Sequence, residues 1–293
     1  MIQAQLARSV LAERRSWITW GGILTLALTL RLALLDLAPL DSIEAGLVLP
    51  AWQAAQALPV DLSVGPQSPL FTSLTTLVFW LFGASDVTAR LIPALAGAAL
   101  AVTPALLPPF CGPWARVAAG ALLATSPLAL ELSRRADPAS LTILCVALVF
   151  GAVLRFGWDR PRWAPWLFAG ALGAGLASQG GTVIALILAA VAGFIAGALW
   201  SDQEPWQLPM IDYGRARGPA LFGVAAAVVA ATCGLFDLRG LGFLAGDVWG
   251  QAATLLLRPA LSGWQLFSLL AYAAPLLALA VLEIVWGIRA KDR

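Results

Sequence analysis

At 293 residues the chain can form one large domain or two small ones, but hydrophobic residues make up 60% of it and charged residues only 12%. Soluble domains carry about 45–50% and 25%, so a soluble enzyme surrounded by water is excluded. A net charge of +2 excludes a general nucleic-acid binder, which needs a concentrated cationic footprint. Histidine is absent, so no imidazole proton shuttle, zinc ligand or haem ligand can be built. Three cysteines, Cys111, Cys145 and Cys233, lack CxxC spacing and indicate neither a disulfide framework nor a metal knuckle. The expected class is an all-α polytopic membrane protein without metal or cofactor.

A bilayer core about 30 Å thick needs roughly 20 apolar residues per helix. The first such run is Trp17–Leu35, preceded by Arg8, Arg14 and Arg15. Its apolar part is too long for a signal peptide, and a retained anchor is expected. Further runs are Leu91–Phe110, Val117–Leu132, Ala139–Phe156, Pro165–Ala177, Val183–Trp200, Pro219–Phe236 and Trp264–Ile288. Together they make about eight transmembrane helices in a single domain, residues 1–293. The runs reach the end of the chain, so no large outer domain is expected after them.

Eight spans put both termini on one side. That side then holds Arg8, Arg14 and Arg15, Arg116, the Arg155–Arg162 segment, Arg215 and Arg217, and the basic C-terminus. Short loops rich in Arg and Lys stay cytoplasmic, so both termini are expected inside, in a bacterial-type plasma membrane. Pro69–Phe82 is too short to span, and counting it would reverse the charge bias downstream. It reads instead as a helix in the outer interface. Residues 36–90 thus become one long outer loop with two interfacial helices, Glu44–Ala57 and Pro69–Phe82, and loops of this length are usually functional.

Two acidic clusters fall on the outer side. The first is Asp36 to Glu44, where Asp41 and Glu44 share a helix face if a turn starts there. Asp41 or Ser42 can equally cap that helix. The second runs from Glu131 through Arg134 and Arg135 to Asp137-Pro138. Its arginines suit a phosphate, either a substrate's or a lipid headgroup's, and Asp137 can point into a cleft or cap the next helix.

These segments resemble the GT-C superfamily of polyprenol-dependent membrane glycosyltransferases, most of all the family-39-type group of protein mannosyltransferases and aminoarabinose transferases. The likeness rests on Pro39-Leu40 followed by Glu44-Ala45, on Ser68-Pro69-Leu70, on Phe82–Leu95, and on Ser126-Pro127 with Ser133-Arg134 to Asp137, across residues 17–160. It implies a GT-C-like bundle and an inverting transfer from a polyprenyl-phosphate sugar at the extracytoplasmic face. Glu44 or Asp41 is then the implied base and Asp137 a second acid, with Arg90, Arg134 or Arg135 holding phosphate.

One departure matters. The family's acidic pair is Asp-Glu, whereas this chain reads Ile43-Glu44. The competing expectation is a catalytically inactive GT-C-like subunit or scaffold of a larger membrane complex, in contact with lipids and other membrane subunits. Few ionisable residues fall at mid-span, which disfavours a transporter.

Overall fold

The computed structural model describes residues 2–33, 35–36, 38–58, 68–108, 111–159, 161–178 and 213–231, all in the first of two compact units, Met1–Trp249. Every regular element among the described residues is helical. Helix α1 spans Ile2–Leu32 and α2 spans Ser42–Ala55. Helix α3, Pro69–Phe82, starts because Ser68 accepts from the Phe71 N–H and Pro69 sits where no donor is needed. It stops at Gly83, whose φ of +82° a side chain would resist.

Helix α4, Asp86–Val102, opens on a reciprocal cap between Ser85 and Thr88 and runs into a 3-10 turn, Thr103–Leu106. Then follow α5 (Pro113–Thr125), α6 (Pro127–Arg134), α7 (Ala139–Asp159), α8 (Ala164–Leu176) and α9 (Tyr213–Ala231).

By length and composition, Asp86–Leu106 and Ala139–Phe156 can each cross a bilayer. The expected span Val117–Leu132 is instead two helices, α5 and α6, bent by 51°. The break is at Ser126-Pro127: proline supplies no N–H and pushes the residue before it out of helical geometry, here to ψ 122° at Ser126. Counting that pair as one gives three helices among the described residues that are long and apolar enough to span. Trp17–Leu32, Ala164–Leu176 and Gly218–Ala230 are shorter apolar helices. The expected spans 183–200 and 264–288, and Cys233, lie outside the described residues. Pro69–Phe82 matches its expected bounds, and the helix expected over Glu44–Ala57 occupies Ser42–Ala55.

Helix α4 packs on both sides, and six of its nine buried residues are small: Ala89, Ala94, Ala96, Gly97, Ala98 and Ala101. Apolar attraction between helices vanishes in lipid, so close backbone approach has to hold them together. One core cluster gathers Ile23 and Ala27 of α1, Ala98 and Ala101 of α4, and Ala124 of α5. Another joins Val48 and Ala51, Phe71 and Phe79, Ala89 and Ala96, Ala136 and Leu141. Helices α2 and α3 are thereby seated on α4, α7 and the turn between α6 and α7.

Helices α8 and α9 run parallel. Trp166 faces Gly218, Gly170 faces Phe222, and Gly173 faces the Gly223 carbonyl, with the Trp166 and Phe222 rings edge to face at 5.6 Å. Their ends meet α3: the Leu70 N–H donates to the Ala177 carbonyl at 2.8 Å, and Ser73 Oγ to the Ala230 carbonyl at 3.2 Å. Thr142 and Ser178 share a hydrogen bond at 3.1 Å. One end of the bundle therefore collects α3, the start of α7 and the ends of α8 and α9.

Candidate functional site

The first acidic cluster folds as a reciprocal cap. Asp41 Oδ1 accepts from the N–H groups of Ile43 (2.8 Å) and Glu44 (2.7 Å), and Glu44 reaches back to accept from the Asp41 N–H at 3.1 Å. That reach turns the Glu44 side chain inward, leaving it 5% exposed, while Ile43 points outward at 71%. Facing Glu44 from α4 is Arg90, 6% exposed.

The two form a bidentate ion pair. Arg90 Nη2 donates to Glu44 Oε2 at 2.7 Å and Nε to Oε1 at 3.3 Å. The other Arg90 hydrogens go to carbonyls of the loop before α2: Nη1 to Leu35 (2.9 Å) and Ala38 (2.7 Å), Nη2 to Pro39 (3.2 Å). All five guanidinium N–H groups are used. Glu44 Oε1 also accepts from the Ala136 N–H at 2.8 Å. A single ion pair thus ties together the loop after α1, the start of α2, α4, and the turn between α6 and α7.

Burial pushes the Glu44 carboxyl upward. The Arg90 hydrogen bond, the Ala136 and Asp41 N–H groups and the Arg90 charge together overcome it, leaving the group below the ordinary carboxylate range. A depressed folded-state value means stability that is complete above the unfolded value, about 4.3, and is lost as pH falls through the folded one. In detergent, the parent's unfolding midpoint is expected to fall as pH drops from 5 to 3. Glu44→Gln should begin lower and lose less over that interval, and parallel curves would refute this account of the carboxylate.

Asp137 Oδ1 accepts from the Ala139 N–H at 2.6 Å and so caps the start of α7. Arg134 donates to the Ala33 carbonyl near the end of α1, and Arg135 pairs with Glu131 at 3.0 Å on the surface. Asp41 and Asp137 each use only one oxygen among the described residues. Both capping readings of the sequence are therefore realised, and the two acidic clusters meet through Glu44 and Ala136.

Two features do not follow from the sequence pattern as read. Ala136 contributes through its backbone, which no side-chain pattern announces. The Glu44–Arg90 pairing carried a fainter signal, an arginine inside the small-residue run of α4 that has to find a partner. Among the described residues, no group of three or more His, Cys, Asp or Glu side chains stands close enough to share a metal ion.

The family model for dolichyl-phosphate-mannose-protein mannosyltransferases matches residues 66–213, half of the chain. The match takes in Arg90, Arg134, Arg135 and Asp137, while Asp41 and Glu44 precede it. No curated protein and no solved structure matches the chain.

Proposed function

We propose that this chain, which belongs to the dolichyl-phosphate-mannose-protein mannosyltransferase family, transfers a sugar from a polyprenyl-phosphate carrier at the extracytoplasmic face of a bacterial-type plasma membrane. Both termini are then cytoplasmic, and α2 and α3 lie in the outer interface. The observation that carries the proposal is the junction of the two outer acidic segments, where Glu44 of one accepts from Ala136 of the other beside Asp137.

The roles divide according to which groups are already engaged. Glu44 and Arg90, saturated with hydrogen bonds and buried, hold the outer segments in register. Asp41 and Asp137 keep an oxygen available and are the carboxylates able to take the proton of an acceptor hydroxyl. The acceptor oxygen then bonds to the anomeric carbon, the carbon–oxygen bond to phosphate breaks, and polyprenyl phosphate leaves with the electron pair. Arg134 and Arg135 stand beside Asp137 to stabilise the departing phosphate. Lipids surround the bundle.

The test is transfer from polyprenyl-phosphate mannose by the purified full chain. Asp137→Asn is expected to lower turnover by about 100-fold or more, the usual scale for a missing general base. Turnover equal to the parent's would remove Asp137 from the chemistry.

One observation favours a second reading, a catalytically inactive subunit of a membrane complex. Ile43 stands exposed where the family resemblance expects a carboxylate. Background turnover in the parent together with turnover acquired by Ile43→Asp would establish it.

A further inference from the structure

The Arg31 side chain, in the last turn of α1, is 0% exposed, and among the described residues it has no carboxylate partner. Its Nη1 donates to the carbonyls of Ala27 (3.3 Å) and Ala124 (3.1 Å), and its Nη2 to Leu123 (3.0 Å). Among the described residues its Nε has no hydrogen-bond partner, and it faces Gly97, where a Cβ would sit 2.7 Å from it. A fully buried arginine kept without a carboxylate needs a physical reason.

The reason lies in the α-helical ladder. The carbonyl of residue i accepts from the N–H of residue i+4. For Leu123 that donor position is Pro127, which has no N–H. For Ala124 it is Leu128, beyond the 51° bend. These are the carbonyls that Arg31 takes, at the negative end of the α5 dipole. The geometry points to Arg31 as the stand-in donor for Pro127: a guanidinium from α1 that satisfies the broken span and so fixes the direction in which α6 leaves it.

That direction matters because α6 is only eight residues long and ends on the turn that seats Ala136 against Glu44. Ser133, fully buried, packs on Gly97 beside Arg31, and Arg134 returns to the Ala33 carbonyl. Arg31 is thus a positioning residue for the outer turn. The inference stands whether or not the chain turns over sugar.

A double-mutant cycle on the full chain in detergent tests it. Arg31→Met is expected to lower the unfolding midpoint by about 5 °C or more. In a Pro127→Ala background, where residue 127 regains an N–H, the same change should cost less than half as much. Arg31→Lys should recover part of the loss. If Arg31→Met does not fold, Arg31→Lys in the two backgrounds gives the same comparison. Spin labels at positions 43 and 128, both exposed, should report one narrow distance in the parent and a broadened distribution with Arg31→Met or Arg31→Lys. Equal midpoint losses in the two backgrounds, or an unchanged distance distribution, would overturn the proposal.

Discussion

Replacing Arg90 with methionine is expected to cost roughly 3–5 kcal/mol of stability, the scale for stripping one member from a buried ion pair. The Glu44 carboxylate would stay behind, buried, with only the Ala136 and Asp41 N–H groups to hold it. Arg90→Lys should also lose substantially, because an ammonium is a point charge and cannot bridge two carboxylate oxygens and three carbonyls as the fork does.

The double variant Arg90→Met with Glu44→Leu separates two contributions. It removes the uncompensated charge and should recover part of the loss. It cannot recover all of it, because the Leu35, Ala38 and Pro39 carbonyls lose their donor in either case. Denaturant or thermal unfolding in detergent measures each variant. An Arg90→Met protein within about 1 kcal/mol of the parent would mean that the pair is not what joins the two acidic segments.

The second large effect is expected at Gly97. A Cβ there would overlap Ser133 Cβ, lie 2.7 Å from Arg31 Nε and 3.0 Å from Ser133 Oγ. Ser133 and Arg31 are both fully buried, so neither neighbour has space to retreat. Overpacking a tight core typically costs about 1–3 kcal/mol. Gly97→Val should exceed that range, because yielding would also pull Arg31 from the carbonyls of Leu123 and Ala124. Gly46→Ala in α2 is the control, since nothing lies within 4 Å of its added methyl. That change should be neutral or stabilise by up to about 1 kcal/mol. Similar unfolding midpoints for the two variants would show that α4 does not approach α6 as closely as described.

The fold is legible in the sequence where a signal is local. Pro69–Phe82 was legible because a serine cap, a proline at the first helical position and a terminal glycine bracket an apolar run. Ala139–Phe156 was legible from its length alone. Val117–Leu132 reads as one span because hydropathy windows average across Ser126-Pro127 and carry no information on bend angle. In the sequence, Asp41, Glu44 and Asp137 look alike as candidate carboxylates or caps. In the structure they differ in kind, an exposed cap at Asp41, a half-buried cap at Asp137 and a buried anchor at Glu44, because burial depends on what lies across from each side chain.

Membrane residence and helical class follow from the sequence alone, because the bilayer demands long apolar segments with internally satisfied backbones and composition reports both. Family membership follows as well, from motifs whose order survives in one dimension. Only the tertiary structure decided that Glu44 belongs to Arg90, 46 residues away, and that Arg31 completes a helix it is not part of. Pairings at such separation are selected by whichever buried donor and acceptor would otherwise go unsatisfied once the helices have packed, and that condition does not exist until they have.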